Sequence, residues 1–140
     1  MNVEEVAPYV GVAVCVVLLG VLAAPYLLVT GLESQSTLAF YYGAGPVGGN
    51  AVGFFALLSV VVFLAGRRGR TNPDVAAGIA LVLGVAAALL ALLWAVSIDE
   101  SVLLSFPSSA SWIEFHPWAV VALSFAVPVV AGAYARSVLE

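Results

Sequence analysis

The sequence predicts an all-α integral membrane protein, a four-helix bundle with both termini in the cytoplasm. Four apolar runs cover most of the 140-residue chain, at residues 6–29, 47–66, 75–98 and 117–138. Each run reaches the length of about 20 residues that a helix needs to cross a hydrocarbon layer of ~30 Å. Hydrophobic residues make up 64% of the chain, and its mean hydropathy is +1.16. A chain this short cannot hide that surface from water, so we expect one transmembrane domain whose solvent is lipid.

The first run reads as a spanning helix rather than as a cleavable secretory signal. Glu4 and Glu5 precede it without any Lys or Arg, whereas secretory signals begin with positive charge. A signal that is cut near residues 23–24 is the alternative. Pro25 lies inside this helix and removes one backbone hydrogen bond. We therefore expect a bend there, with a neighbouring helix covering the freed carbonyl.

Small residues mark the expected contact faces of the second and third helices. Gly45, Gly49 and Gly53 form two overlapping G-x-x-x-G steps at the start of the second helix. In lipid no hydrophobic force draws helices together, so close backbone approach has to do so. We favour contact of these glycines within one monomer, and glycophorin-like homodimerisation is the alternative. The third helix is predicted to pack through its small residues, Ala76, Ala80, Gly84, Ala88, Ala91 and Ala95.

The start of the third helix is marked by three consecutive residues. Asn72, Pro73 and Asp74 read as an N-cap, a first helical residue and an acid in the first turn. Asn accepts from unpaired amides, Pro lacks the N–H that would be unpaired, and Asp favours the positive helix end. We therefore expect this helix to begin at Pro73.

The fourth helix is expected to begin at Pro117 and to bend at Pro128, with the freed carbonyl covered by a neighbour. Its predicted contact face carries Ala119, Ala122 and Ala126.

The two outer segments, residues 30–46 and 99–116, are too apolar to be free loops. Within them, residues 38–42 and 102–106 are each too short to span, so we interpret both as interfacial pieces on the outer end of the bundle. Tyr and Trp prefer this half-wet layer. The rings expected there are Tyr26, Tyr41, Tyr42, Trp94, Trp112 and Trp118.

Orientation follows from the four basic residues, all of them Arg. Arg67, Arg68 and Arg70 share one loop, and Arg136 lies at the far end of the fourth helix. An even number of spans puts all four on one side, which the positive-inside rule makes cytoplasmic. The loop could also bind anionic lipid head groups, at roughly 1 kcal/mol per Arg, although a role as topology anchor is sufficient.

His116 is the single histidine and the main candidate for chemistry. It lies two residues after Glu114, and a metal site would need further ligands from Glu33, Asp99 or Glu100. Glu-x-His is a weak metal signal, so we favour an interfacial His near a helix start. One His cannot supply bis-His haem ligation within a monomer.

The predicted membrane interior contains no Asp, Glu, Lys, Arg or His; its polar residues are Asn50, Ser59, Ser97, Ser124 and Cys15. Proton relays and ion pumps need ionisable groups, despite a cost of ~2.5–3.5 kcal/mol at the bilayer centre. A membrane Ser more often bonds a carbonyl of its own helix, and no G-x-S-x-G occurs. We therefore assign no catalytic, cofactor-binding or metal-binding residues, and we expect no cofactor and no enzymatic activity.

Composition and short motifs point to a habitat. The chain has eight acids, no Lys and a pI near 4.7, which is typical of haloarchaea or of a GC-rich actinobacterium. Residues 24–29 (APYLLV), 41–45 (YYGAG), 63–67 (FLAGR) and 72–78 (NPDVAAG) resemble a family of small four-helix haloarchaeal membrane proteins that carries only a domain-of-unknown-function label. The resemblance covers nearly the whole chain. It implies habitat and topology, but no activity and no functional residues.

These observations predict a non-catalytic, multi-pass protein of the cell membrane that is an accessory or structural subunit of a membrane complex. The alternative is an oligomeric transport or channel component for a small solute, built around the glycine-bearing face of the second helix. Expected partners are the lipid bilayer and other membrane subunits or a second copy, and not nucleic acid.

The predicted orientation can be tested by cysteine labelling of intact cells. An impermeant thiol reagent should modify new cysteines at Ser36 and Ser109, and it should not reach one at Gly69. The reason is the placement of the Arg residues on the cytoplasmic side. Labelling at Gly69 would contradict this topology.

Overall fold

The computed structural model describes residues 3–28, 38–46, 48–98, 100–104 and 112–139. All regular elements within these ranges are helical. The helices with defined bounds are α1 (Val3–Leu28), α2 (Asn50–Arg67), α3 (Pro73–Ser97), α4 (Glu100–Leu104) and α5 (His116–Leu139). Residues 38–42 are also helical, and residues 112–114 form a 3₁₀ turn. The four long helices are long and apolar enough to cross a membrane.

The long helices pack as a closed ring. The main contacts join α1 to α2, α2 to α3, α3 to α5, and α5 back to α1. A ring of this kind lets each helix bury one stripe and leave its opposite side facing outward. The outward sides carry large apolar side chains, such as Val61 with 64% exposure and Val82 with 69%.

The predicted contact face of α3 is confirmed, because all six small residues named for it are buried. At Gly84, an added Cβ would lie 2.9 Å from the backbone nitrogen of Pro128 and 3.0 Å from Cγ1 of Val127. These distances mean that the α5 backbone approaches α3 closely enough to exclude a side chain. Leu89 lies on the opposite side of α3 and is 58% exposed.

The predicted contact face of α5 is wrong. Ala119 and Ala122 are exposed, and Ala126 is only partly buried. The buried residues of α5 are instead His116, Pro117, Val120, Val121, Ser124, Val127, Ala131 and Tyr134. Two small faces opposed to each other would leave voids that forfeit dispersion contacts. The small face of α3 is therefore filled by the larger residues of α5.

The glycines at the start of α2 contact atoms of the same chain. An added Cβ at Gly49 would lie 2.8 Å from the Trp94 ring, and one at Gly45 would lie 3.0 Å from the Ser97 hydroxyl. At Gly53 the nearest atom belongs to Leu22, at 3.6 Å. These glycines therefore contact atoms of their own monomer, as the sequence favours.

The start of α3 agrees with the sequence in position but not in capping chemistry. The helix begins at Pro73, but the Asn72 side chain forms no capping hydrogen bond. The Asn72 backbone carbonyl accepts the first hydrogen bond of the helix, from the Ala76 N–H at 2.9 Å. Asn72 is exposed, so water can satisfy the first amides of this helix.

We predict that Gly84→Leu lowers the free energy of unfolding by about 1–3 kcal/mol, the usual size of an overpacking penalty. A larger side chain at this position must push α3 and α5 apart. The matched control is Leu89→Ala, whose exposed side chain leaves no internal cavity. The melting temperature in detergent measures both, and an unchanged or raised value for Gly84→Leu would contradict the assigned contact.

Candidate functional site

Five side chains from four parts of the chain meet at one end of the bundle, and we call them the aromatic cluster. Its members are Tyr41, Tyr42, Trp94, Trp112 and His116. The tyrosines come from the helical residues 38–42, Trp94 from the last turn of α3, Trp112 from the 3₁₀ turn, and His116 from the first turn of α5. All except Trp112 are buried.

The rings of the cluster are stacked in layers. The Tyr42 ring lies between the rings of Tyr26 and Trp94, with centroid distances of 4.7 Å and 5.7 Å and interplanar angles of 9° and 7°. Tyr41 meets Tyr42 and Trp94 edge-on, at 5.1 Å and 5.2 Å. Each such pair contributes about 0.5–1.5 kcal/mol beyond its buried area. The stack therefore fastens residues 38–42 to both α1 and α3.

Hydrogen bonds connect the same rings to the backbone. The Trp94 indole N–H donates to the Tyr41 carbonyl at 2.8 Å. The Tyr42 hydroxyl donates to the Leu22 carbonyl on α1. His116 lies 2.6 Å from the Val21 carbonyl through Nε2 and 2.5 Å from the Tyr41 hydroxyl through Nδ1. Both ring nitrogens of the histidine are therefore engaged within the chain.

The Val21 carbonyl determines the tautomer of neutral His116. A carbonyl oxygen can only accept, so Nε2 must carry the proton and donate it. Nδ1 of the neutral ring is then an acceptor, and the Tyr41 hydroxyl donates to it. Tyr41 thus donates a hydrogen bond to His116, and His116 donates one to the α1 backbone.

Pro25 explains why α1 needs these donors. In a regular helix the N–H of residue 25 would bond the carbonyl of Val21, but Pro has no N–H. His116 supplies the missing donor to Val21, and Tyr42 donates to the next carbonyl, that of Leu22. The expectation that a neighbouring helix covers the carbonyl freed by Pro25 is confirmed.

Pro128 also deprives its own helix, α5, of one backbone donor. It removes the helix donor for the Ser124 carbonyl. The Ser124 side chain is fully buried, and its hydroxyl has no hydrogen-bond partner within the described ranges. By contrast, Ser59 and Ser97 donate to the carbonyls of Phe55 and Leu93 in their own helices, as expected.

The two buried phenols of the cluster stay protonated. Burial raises the pKa of Tyr41, and the neighbouring Tyr42 raises it further. Burial likewise raises the pKa of Tyr42, with an additional contribution from Tyr26. Since an unperturbed Tyr already titrates near ~10, both hydroxyls remain hydrogen-bond donors throughout the physiological range.

His116 is buried, and the two proposed metal ligands that the structure describes are not. Glu114 and Glu100 are exposed, whereas Glu33 and Asp99 lie outside the described residues. Residues 3–28, 38–46, 48–98, 100–104 and 112–139 contain no group of three or more His, Cys, Asp or Glu side chains that could hold a metal. His116 lies at a helix start, as expected, and its side chain is buried within the bundle.

The six rings expected at the outer boundary differ in how far they are exposed. Trp118 and Tyr26 are 51% and 50% exposed, but Tyr41, Tyr42 and Trp94 are almost fully buried. The signal that could have found the cluster is Pro25. Its freed carbonyl requires a donor at the same depth, and His116 is the one histidine near that boundary.

Comparison with known proteins gives a family but no activity. Residues 1–139 match a family of unknown function (DUF7548), and the chain belongs to that family. No curated protein matches the chain, and no solved structure does.

A double-mutant cycle tests the pairing of Pro25 with His116. His116→Phe leaves the partly buried Val21 carbonyl without its donor, so we expect a loss of about 1–3 kcal/mol in unfolding free energy. In a Pro25→Ala background the restored N–H can bond that carbonyl, so the same change should cost clearly less. Denaturation of the purified protein in mixed micelles measures all four variants.

The control for this cycle is Trp118→Phe, an exposed ring on the same turn of α5. It should show no coupling to residue 25. Equal penalties for His116→Phe in both backgrounds would contradict the pairing.

Proposed function

We propose that this chain, as a member of that family, is a non-catalytic protein of the cell membrane that serves as an accessory or structural subunit of a larger membrane complex. The observation that carries the proposal is a set of outward-facing glycines on three of the four long helices. An added Cβ at Gly20 in α1, Gly78 in α3 or Gly132 in α5 would meet no atom within 4 Å. These positions leave room for another helix to approach the backbone.

The open glycines differ from the buried ones in what surrounds them. Gly within a helix costs roughly 0.5–1 kcal/mol relative to Ala, so a Gly needs a compensating reason. At Gly84 and Gly11 the missing side chain permits close packing, because Cβ atoms there would collide with Pro128 and with the Phe63 ring, respectively. Gly20 and Gly78 have no such neighbour within the chain. A partner helix packed against them would supply the reason, since close approach at small residues drives helix association in lipid.

The aromatic cluster supports a non-catalytic role. Both nitrogens of His116, the Tyr42 hydroxyl and the Trp94 indole N–H are occupied by groups of the same chain. These bonds give each of the named polar atoms a structural partner, so their burial is explained without a catalytic role. The cluster instead holds the ends of α1, α3 and α5 together, which suits a rigid structural subunit.

The alternative, a transport or channel component, depended on the glycine-bearing face of α2. Gly49 and Gly53 on that face lie against Trp94 and Leu22 of the same chain. Because these two positions already pack against the same chain, we favour the structural role over the transport alternative. No other contact within the described residues favours this alternative.

Purification of the tagged full chain from its native membrane in mild detergent tests the proposal. We expect a second membrane protein to co-purify in fixed stoichiometry. Gly20→Leu and Gly78→Leu should weaken that association by overpacking of about 1–3 kcal/mol, roughly 5- to 150-fold in affinity. Neither change should lower the melting temperature of the chain itself, because both positions are open.

Leu57→Phe is the control, since it adds bulk at an exposed position of α2 and should leave the association unchanged. A chain that purifies alone from native membranes would contradict the proposal. A symmetric homo-oligomer with a water-accessible axis would support the transport alternative instead.

A further inference from the structure

The C-terminus of α2 is closed by a glycine turn that determines where the loop arginines lie. Gly69 has a φ of +74°, in the left-handed region. Its N–H donates to the Gly66 carbonyl at 3.4 Å, and the Arg70 N–H donates to the Ala65 carbonyl at 3.0 Å. This pair of bonds is the Schellman arrangement, which reverses the chain and satisfies the last helix carbonyls. The reversal brings Arg70 back beside the final turns of α2.

Arg68 and Arg70 line a groove on the outward side of α2. The groove has a volume of about 190 Å³ and is completed by Val61, Leu64 and Ala65. Residues 61, 64, 65 and 68 have the spacing of one helix face, so an apolar strip leads directly to the two guanidinium groups. Val61 is 64% exposed, so the strip opens toward the surroundings of the bundle.

The three loop arginines have different neighbours. The Arg67 guanidinium lies 5.2 Å from the ring centroid of Tyr9 on α1, where it makes a cation–π contact. Arg68 and Arg70 are exposed and form no ion pair with a carboxylate among the residues that the structure describes. Two unneutralised positive charges therefore stand together at the end of an apolar strip.

We propose that this groove binds one anionic phospholipid, with its phosphate between Arg68 and Arg70 and its acyl chain along Val61 and Leu64. The charges are complementary, and guanidinium groups bind phosphate oxygens in a bidentate manner. The site lies at the end of a helix that is long and apolar enough to cross a membrane. The end of such a helix lies at the depth of the lipid head groups. Arg67 does not line this groove and lies over the Tyr9 ring instead.

A lipid fits this groove better than a free anion. An isolated phosphate would contact the arginines but would leave the wall of Val61, Leu64 and Ala65 uncovered. The end of a helix also repels anions through its dipole, so the side chains rather than the backbone must attract the phosphate. The Schellman bonds reduce that repulsion because they engage the carbonyls of Ala65 and Gly66.

The test uses the purified full chain in a neutral detergent with added phosphatidylglycerol or phosphatidylcholine of identical acyl chains. Native mass spectrometry counts bound lipids, and the melting temperature reports stabilisation. We expect one retained phosphatidylglycerol per chain and a higher melting temperature than with phosphatidylcholine. Arg68→Gln and Arg70→Gln should each weaken binding roughly five-fold, the effect of one Arg at a membrane surface.

Arg67→Gln is the matched control, because it removes the same charge from the same loop without touching the groove. It should retain the bound lipid. Equal weakening by all three substitutions would overturn the proposal in favour of diffuse surface charge. Equal retention of phosphatidylcholine, or displacement of the lipid by inorganic phosphate at similar concentration, would overturn it as well.

Discussion

The requirement that a buried carbonyl be paired governs the end of this bundle that carries the aromatic cluster. Pro25 removes the helix donor for Val21, and an unpaired carbonyl in an apolar setting costs several kcal/mol. His116 from α5 donates to Val21, and Tyr42 donates to the neighbouring Leu22. Tyr41 in turn donates to Nδ1 of the same His116 ring. The backbone donor that Pro25 lacks is thereby replaced by a connection between α1, α5 and residues 38–42.

Packing volume provides the second constraint, and it acts farther along the same helices. The small face of α3 allows the backbone of α5 to come within contact distance at Gly84. Valines and Tyr134 on α5 then fill the space that the small residues leave, which preserves the dispersion contacts that hold helices together in lipid. Pro128 lies at this contact, so the bend-forming residue of α5 faces the residue of α3 that has no side chain.

These two constraints engage most interior groups with partners in the same chain. The outer surface is then the part of the protein that can interact with other molecules. The polar atoms of the cluster bond within the chain, and the glycines of α2 meet neighbouring side chains. Apart from the buried Ser124 hydroxyl, the features without an internal partner within the described residues face outward: the open backbone at Gly20 and Gly78, and the groove beside Arg68 and Arg70. Function in this family member is therefore proposed at surfaces that meet lipid or other membrane proteins, and not at a buried site.

The sequence by itself determined the properties that depend on local spacing. Run length and hydropathy predict four spanning helices, and the small residues of α3 recur at helical spacing and are buried. Only the tertiary structure decided which side of α5 turns inward, because that choice depends on the volume opposite, and the exposed Ala119 shows that small residues alone do not identify it. It also decided that His116 is buried against Val21, since a pairing of residues 95 positions apart depends on how the helices pack and not on local spacing.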